Sequence, residues 1–180
     1  MQTVIAEESK RPLSYVMLAK LLPKWCRVTK YDSLAKFQTL KAALQGKQML
    51  VVLYQVHSKT SKKLLNMPGH FIVINAKSRG QPVEYFSSSG WTPAQELSAT
   101  HEDPKIFKRL LPKNFIYNSV ALEHMGDLNT CWRWVLVRCI LGHVSLKDFQ
   151  KLFKQKVILR SNDDAIVMLT LLKTIEFDSQ

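Results

Sequence analysis

The chain has 180 residues, 46% of them hydrophobic, so it reads as a single domain over 1–180 with enough apolar surface for one core. Its 26 Lys and Arg against 14 Asp and Glu leave a net charge of +12, which predicts attraction to a polyanion such as nucleic acid or serves only as a solubility device. Three cysteines without metal-ligand spacing exclude a structural metal site, and the lack of a signal-peptide start or an apolar run near eighteen residues predicts a soluble intracellular protein with free thiols and no membrane contact.

Along the chain, apolar residues at three- and four-residue intervals predict helices over Leu18 to Trp25 and Ser33 to Leu44, the second capped by Asp32 or Ser33 and ended near Gly46. A strand, Met49 to Tyr54, follows, then a lysine-rich loop and a second apolar strand, His70 to Asn75. Lys77-Ser78-Arg79-Gly80 is turn-like and predicts a hairpin to the strand Val83 to Phe86. Pro93 opens a surface helix containing Glu96 and Leu97, and a short helix from Ile106 to Leu111 stops at Pro112. Phe115 to Asn118 gives a fourth strand. From Thr130 the chain turns helical, and Trp134, Val135, Val137, Ile140 and Leu141 make this helix apolar nearly all round, which predicts burial. Ser145 and Asp148 cap the next helix, and Asp163 and Asp164 open a last one through Leu172.

Two residues carry reactive chemistry. Cys131 stands at the mouth of the buried helix, where the helix dipole and free N–H groups favour a thiolate, and His70, 61 residues upstream, starts an apolar strand. An imidazole brought from another element completes a nucleophile pair. The alternative is a small buried thiol beside a satisfied histidine. Cys139, eight residues after Cys131, lies two turns deeper and reads as core, too far along the helix for a disulfide with it. His57 and His101 read as solvated loop residues, and His143 as a partner of a helix C-terminus.

The order of Gly69-His70-Phe71, Glu84-Tyr85-Phe86-Ser87-Ser88-Ser89-Gly90-Trp91, Tyr117-Asn118-Ser119-Val120-Ala121-Leu122 and Thr130-Cys131-Trp132-Arg133-Trp134-Val135 resembles the adenain-like branch of the clan CE cysteine proteases. These are the maturation proteases of adenoviruses, virophages and Polinton-type elements. The resemblance spans roughly Tyr31 to Leu141. It implies an α+β, papain-like clan CE fold, with a central mixed or antiparallel sheet packed against a buried helix carrying the cysteine. It implies Cys131 as nucleophile and His70 as general base.

Three positions depart from that family. Ser87 stands where relatives carry Asp or Glu; it fixes the imidazole tautomer but contributes no charge. Glu84 would replace it only through a bulge, since it shares the face of Phe86. The oxyanion glutamine falls on either Glu123 or His124; an ionised Glu123 would repel an oxyanion, His124 donates a hydrogen bond, and the backbone N–H of Cys131 serves in both cases. Trp132 replaces a glycine, where it narrows the approach or lines a substrate groove with Trp91.

Lys105, Lys108, Arg109 and Lys113, then Lys147, Lys151, Lys154 and Lys156, recur at helical intervals, as a solvated face or as a phosphate track. The resemblance implies an intracellular cysteine endopeptidase of a virus or virus-like element, acting in the nucleus or virus factory and packaged in the virion. Its partners would be capsid or core precursors; it would require no cofactor, with DNA or an activating peptide as optional ones. The alternative is a catalytically degenerate relative acting as a structural or nucleic-acid-binding virion component.

Overall fold

A computed structural model describes residues 2–61, 63–65, 69–76, 80–124, 129–153 and 161–178. The fold is α+β: a five-stranded mixed sheet with helices on both faces. Strands β1 (Cys26–Lys30), β2 (Met49–Tyr54), β3 (His70–Asn75), β4 (Glu84–Ser87) and β5 (Ile116–Tyr117) lie side by side in chain order. The inner pairs β2/β3 and β3/β4 are antiparallel, and the outer pairs β1/β2 and β4/β5 are parallel.

Strand alternation divides the core into two layers. Met49, Val51, Phe71, Val73 and Phe86 point to one face, where they meet Trp132, Trp134, Val135, Leu136 and Cys139 of helix α6 (Cys131–Ile140). Leu50, Val52, Tyr54, Ile72, Ile74 and Tyr85 point to the other, against α4 (Pro93–Thr100) and α5 (Lys105–Leu110). Every residue of α6 from Trp132 to Cys139 is buried, as its all-round apolarity predicts. Two of these are arginines, and each takes a buried or half-buried carboxylate: Arg133 pairs with Glu8 and Arg138 with Glu84 at 2.5 Å. Removing either partner would strand a buried charge.

Several expected elements differ. Helix α1 (Gln2–Lys10) carries no strong periodicity and precedes α2 (Tyr15–Leu21), which stops short of Trp25 because Pro23 cannot continue it. The strand β1 follows at once. The helix expected over Ser33 to Leu44 is broken into a single 3-10 turn, Asp32–Leu34, and α3 (Leu40–Leu44), capped by Thr39 and closed by Gln45 in the left-handed region. Helix α4 is not a surface helix: Pro93, Glu96, Leu97 and Thr100 are buried. His57 is not simply solvated either, since its Nε2 lies 3.4 Å from Glu102. Helix α7 (Leu146–Leu152) is capped by Ser145 as expected, and α8 (Asn162–Asp178) runs beyond Leu172. The turn residues Lys77, Ser78 and Arg79 lie outside the described residues.

Among the described residues no helix is long and apolar enough to cross a membrane, and no cluster of His, Cys, Asp or Glu is fit to hold a metal ion.

Candidate active site

The site sits where the start of β3, the end of β4 and the N-terminus of α6 converge. Gly69 precedes His70, and any Cβ there would fall 2.3 Å from the Tyr54 carbonyl oxygen, so only glycine lets β3 enter this close to β2. Gly90 plays the same part after β4: φ is +72° and a Cβ would meet the backbone of Val120 and Ala121 at 2.5–2.6 Å. That close approach lets Ser88 accept backbone hydrogen bonds from Leu122 and Glu123, at 2.8 and 3.1 Å. Asn118 clamps Ser87 from the other side, accepting from its N–H at 2.9 Å and donating to its carbonyl at 2.5 Å.

Ser87 is thereby fixed with its Oγ 3.1 Å from His70 Nε2. Ser87, expected at the third position, thus meets the ring, and it is not the only group to do so. Glu96, from the first turn of α4, reaches the same nitrogen at 3.3 Å. Ser87 donates its hydroxyl proton to Glu96 Oε1, and Ser89 donates to the same oxygen at 2.9 Å. A charged carboxylate therefore faces the imidazole after all, delivered from a helix rather than from the strand. Its helix is rigidly started: Thr92 and Gln95 form a reciprocal capping box and Pro93 occupies the first turn.

Glu84 is excluded from this role. It points to the α6 face and is consumed by Arg138, Asn75 Nδ2 at 3.0 Å and the Leu146 N–H at 3.1 Å.

Cys131 is the first residue of α6, half-buried, and stands close enough to His70 for its thiol to favour the charged ring. The electrostatics of the ring are a contest. Burial opposes its charge, yet the hydrogen bonds to Cys131 and Glu96 and their negative charges outweigh it, and the His70 pKa is raised well above the ordinary 6.5. Glu96 shows the reciprocal: burial would raise it, but the His70 contact and the Ser87 and Ser89 hydroxyls hold its pKa below the ordinary 4.5. Nε2 being committed to Glu96 and Ser87, Nδ1 is the ring nitrogen left for the thiol.

Behind Cys131 lies a second acidic group. Thr130 does not cap α6 with its side chain; its hydroxyl lies 2.6 Å from Asp163 Oδ1 and 2.9 Å from Glu123 Oε1. One hydroxyl proton cannot serve both. Asp163 already accepts from Trp134 Nε1 at 3.1 Å and from the His124 N–H at 2.7 Å. Glu123 is the carboxyl that burial pushes up, helped by Asp163 and opposed by His70, Ser88 and Thr130. Its two oxygens are taken by the Thr130 hydroxyl and by the Ser88 hydroxyl at 2.5 Å. Of the two candidates for the glutamine position, Glu123 adjoins the residue preceding Cys131, whereas the His124 side chain is exposed.

A cavity of about 190 Å³ opens beside Cys131, walled by Leu13, Tyr15, Leu53, Gly69, Phe71 and Trp132 among others. Trp132 borders it but is only 1% exposed: its indole N–H donates to the Arg11 carbonyl at 3.0 Å and the Arg133 guanidinium stacks 4.2 Å from its ring. Its bulk anchors the segment after α1 rather than capping the thiol. Trp91 is half-buried and does not border this cavity. A larger cavity of about 690 Å³, lined by Trp25, Lys47, Met49, Ile140 and His143, lies at the opposite end of the sheet, away from the Cys131–His70 pair.

The basic residues do not form one track. Lys105, Lys108, Arg109 and Lys113 are exposed on and after α5, on one side of the sheet, and Lys147 and Lys151 are exposed on α7, which packs on the other. Arg109 is further spent on the carbonyls of Ala35 and Phe37, at 2.8 and 3.0 Å. Lys154 and Lys156 lie outside the described residues.

No protein-family model matches the chain. It is similar to an uncharacterized protein, V9, of the Sputnik virophage, 23% identical over 154 residues that cover 79% of this chain and 83% of that protein. That relationship supports a viral origin for the chain.

Proposed function

We propose that the chain is a cysteine endopeptidase that cleaves structural precursor proteins of a virus or virus-like element, working within the infected cell and travelling in the particle. The observation that carries this reading is Glu96 reaching His70 Nε2 at 3.3 Å, because it supplies the negative charge that Ser87 lacks. With that carboxylate in place, Cys131, His70 and Glu96 have the roles of nucleophile, base and orienting acid. Thiolate attack on a peptide carbonyl gives a tetrahedral oxyanion, which the backbone N–H of Cys131 receives at the open N-terminus of α6. His70 passes its proton to the leaving amine, and water then hydrolyses the thioester.

The test is alkylation. Iodoacetamide should label Cys131 at least about tenfold faster than Cys26 or Cys139 near neutral pH, and His70→Ala should remove that advantage. Equal rates at all three thiols, indifferent to His70, would leave a protease-like fold without chemistry as the better reading.

The net charge of +12 supports a further proposed partner, duplex DNA bound without sequence preference. Two separate basic patches predict a modest number of phosphate contacts, so log affinity should fall against log salt with a slope of roughly −3. Absence of binding at about 50 mM salt would reassign the patches to protein partners.

A further inference from the structure

Cys26 and Cys139 are 113 positions apart in sequence and meet across the seam between β1 and α6. Three independent features bring them together. In the parallel ladder Cys26 is the register partner of Met49, so both side chains leave the sheet on the same face. Met49 Sδ touches the end of α6, lying 2.9 Å from where a Cβ on Gly142 would be, and the Cys139 carbonyl is 3.2 Å from that same point. Trp25, immediately before Cys26, donates its indole N–H to the Cys139 carbonyl at 3.2 Å. Cys26 packs against the core cluster that holds the buried Cys139, close enough to raise its pKa. Cys26 is half-buried and Cys139 fully buried, and the 690 Å³ cavity is walled by the neighbours of both, Trp25, Met49, Ile140 and Gly142.

We infer that Cys26 and Cys139 form an oxidation site: a dithiol that closes to an intramolecular disulfide when the chain meets a disulfide oxidant such as oxidised glutathione. Cys26, the accessible member, attacks the oxidant as its thiolate; the glutathione S–S bond breaks, one glutathione thiol leaves, and a mixed disulfide remains on Cys26. Cys139 then gives up its proton and attacks the Cys26 sulfur, releasing the second glutathione thiol. Two S–H bonds are lost, one protein S–S bond is gained, and the oxidant is reduced by two electrons. Burial and the Cys26 thiol hold the Cys139 pKa well above its ordinary value, so Cys139 resolves rather than initiates. Cys131 cannot substitute for either: it lies eight residues before Cys139 on one helix, about 12 Å along its axis. The bond would be open in a reducing cell interior and closed outside it, pinning the far end of α6 to the sheet while the nucleophile at the near end stays a thiol.

The experiment is to incubate the full chain with oxidised glutathione, quench with acid, and count thiols in denaturant. Titratable thiols should drop by two through a cross-linked Cys26–Cys139 peptide seen in a non-reducing digest, with Cys131 outside that cross-link, either free or carrying a glutathione released on reduction. The oxidised chain should also melt on the order of 5 °C higher than the reduced one, a difference absent in Cys26→Ser. Three remaining thiols, a glutathione adduct that persists on Cys26, or a cross-link that includes Cys131 would each overturn the inference. None of these readouts depends on whether the chain cleaves peptides.

Discussion

Replacing Cys131 by alanine is expected to lower peptide cleavage at least about a thousandfold while shifting the thermal midpoint by no more than a few degrees. The sulfur sits at the first residue of α6, half-exposed, and the helix is held elsewhere, by Trp134, Val135 and Leu136 in the core and by Arg133 and Arg138 in their ion pairs. Alanine is also the best helix former, so the backbone has no reason to move. Cleavage of a precursor polypeptide followed on gels, alongside a melting curve, measures both halves. Cleavage at the parental rate would mean that another group is the nucleophile, and loss of the cooperative melt would mean that the thiol has a structural duty its surroundings do not suggest.

Glu96→Gln should reduce kcat/KM about 10- to 100-fold, less than the same change in a serine hydrolase, because a Cys–His pair needs less activation. The pH profile carries the sharper signature. His70 has its pKa raised in the folded chain, in part by the Glu96 charge, and the ion pair survives until pH rises through that value. Without the charge the alkaline limb of the profile should move to lower pH. Stability follows the same signs. The His70 contribution is full below its unfolded value near 6.5 and is lost as pH rises through the raised folded one; the Glu96 contribution is full above its ordinary 4.5 and is lost as pH falls through the lowered folded one. The pair therefore stabilises the fold most between about pH 4.5 and 6.5, and Glu96→Gln should flatten a stability-versus-pH curve there. Adding Ser87→Asp to Glu96→Gln moves the carboxylate to the strand and should restore part of the rate and of the alkaline limb. An unmoved alkaline limb in Glu96→Gln would remove Glu96 from the reaction.

The strands β2, β3 and β4 are legible in the sequence because both their faces are covered, which gives short unbroken apolar runs. Cys131 and His70 are legible for a related reason: each stands at the first position of such a run, where a polar residue signals an opening. β1 is hidden because Cys26-Arg27-Val28-Thr29-Lys30 is an edge strand, buried fully only at Thr29, and mixed polarity is all that an edge requires. Glu96 is hidden because a glutamate in the first turn of a capped helix is the commonest of surface residues. Its one signal is arithmetic: between Glu84 and Glu102 it is the sole carboxylate available to a stretch that offers Ser87 and Ser89 as donors. Glu123 was legible in place but not in its surroundings, since Thr130 bridges it to Asp163 only once α8 has come to lie beside the loop before Cys131.

That dependence on α8 sets a schedule for synthesis. Residues flanking Cys131 hold on to both early and late parts of the chain: Asn129 bonds the carbonyls of Ser9 and Lys10, Arg133 takes Glu8 and, at 2.6 Å, Thr170, and Thr130 takes Asp163. A ribosome that has released Cys131, His70 and Glu96 has yet to deliver Asp163 and Thr170. Until it does, the helix that Cys131 opens lacks the contacts that aim its first turn, so a protease of the proposed kind would stay silent while it is still being made.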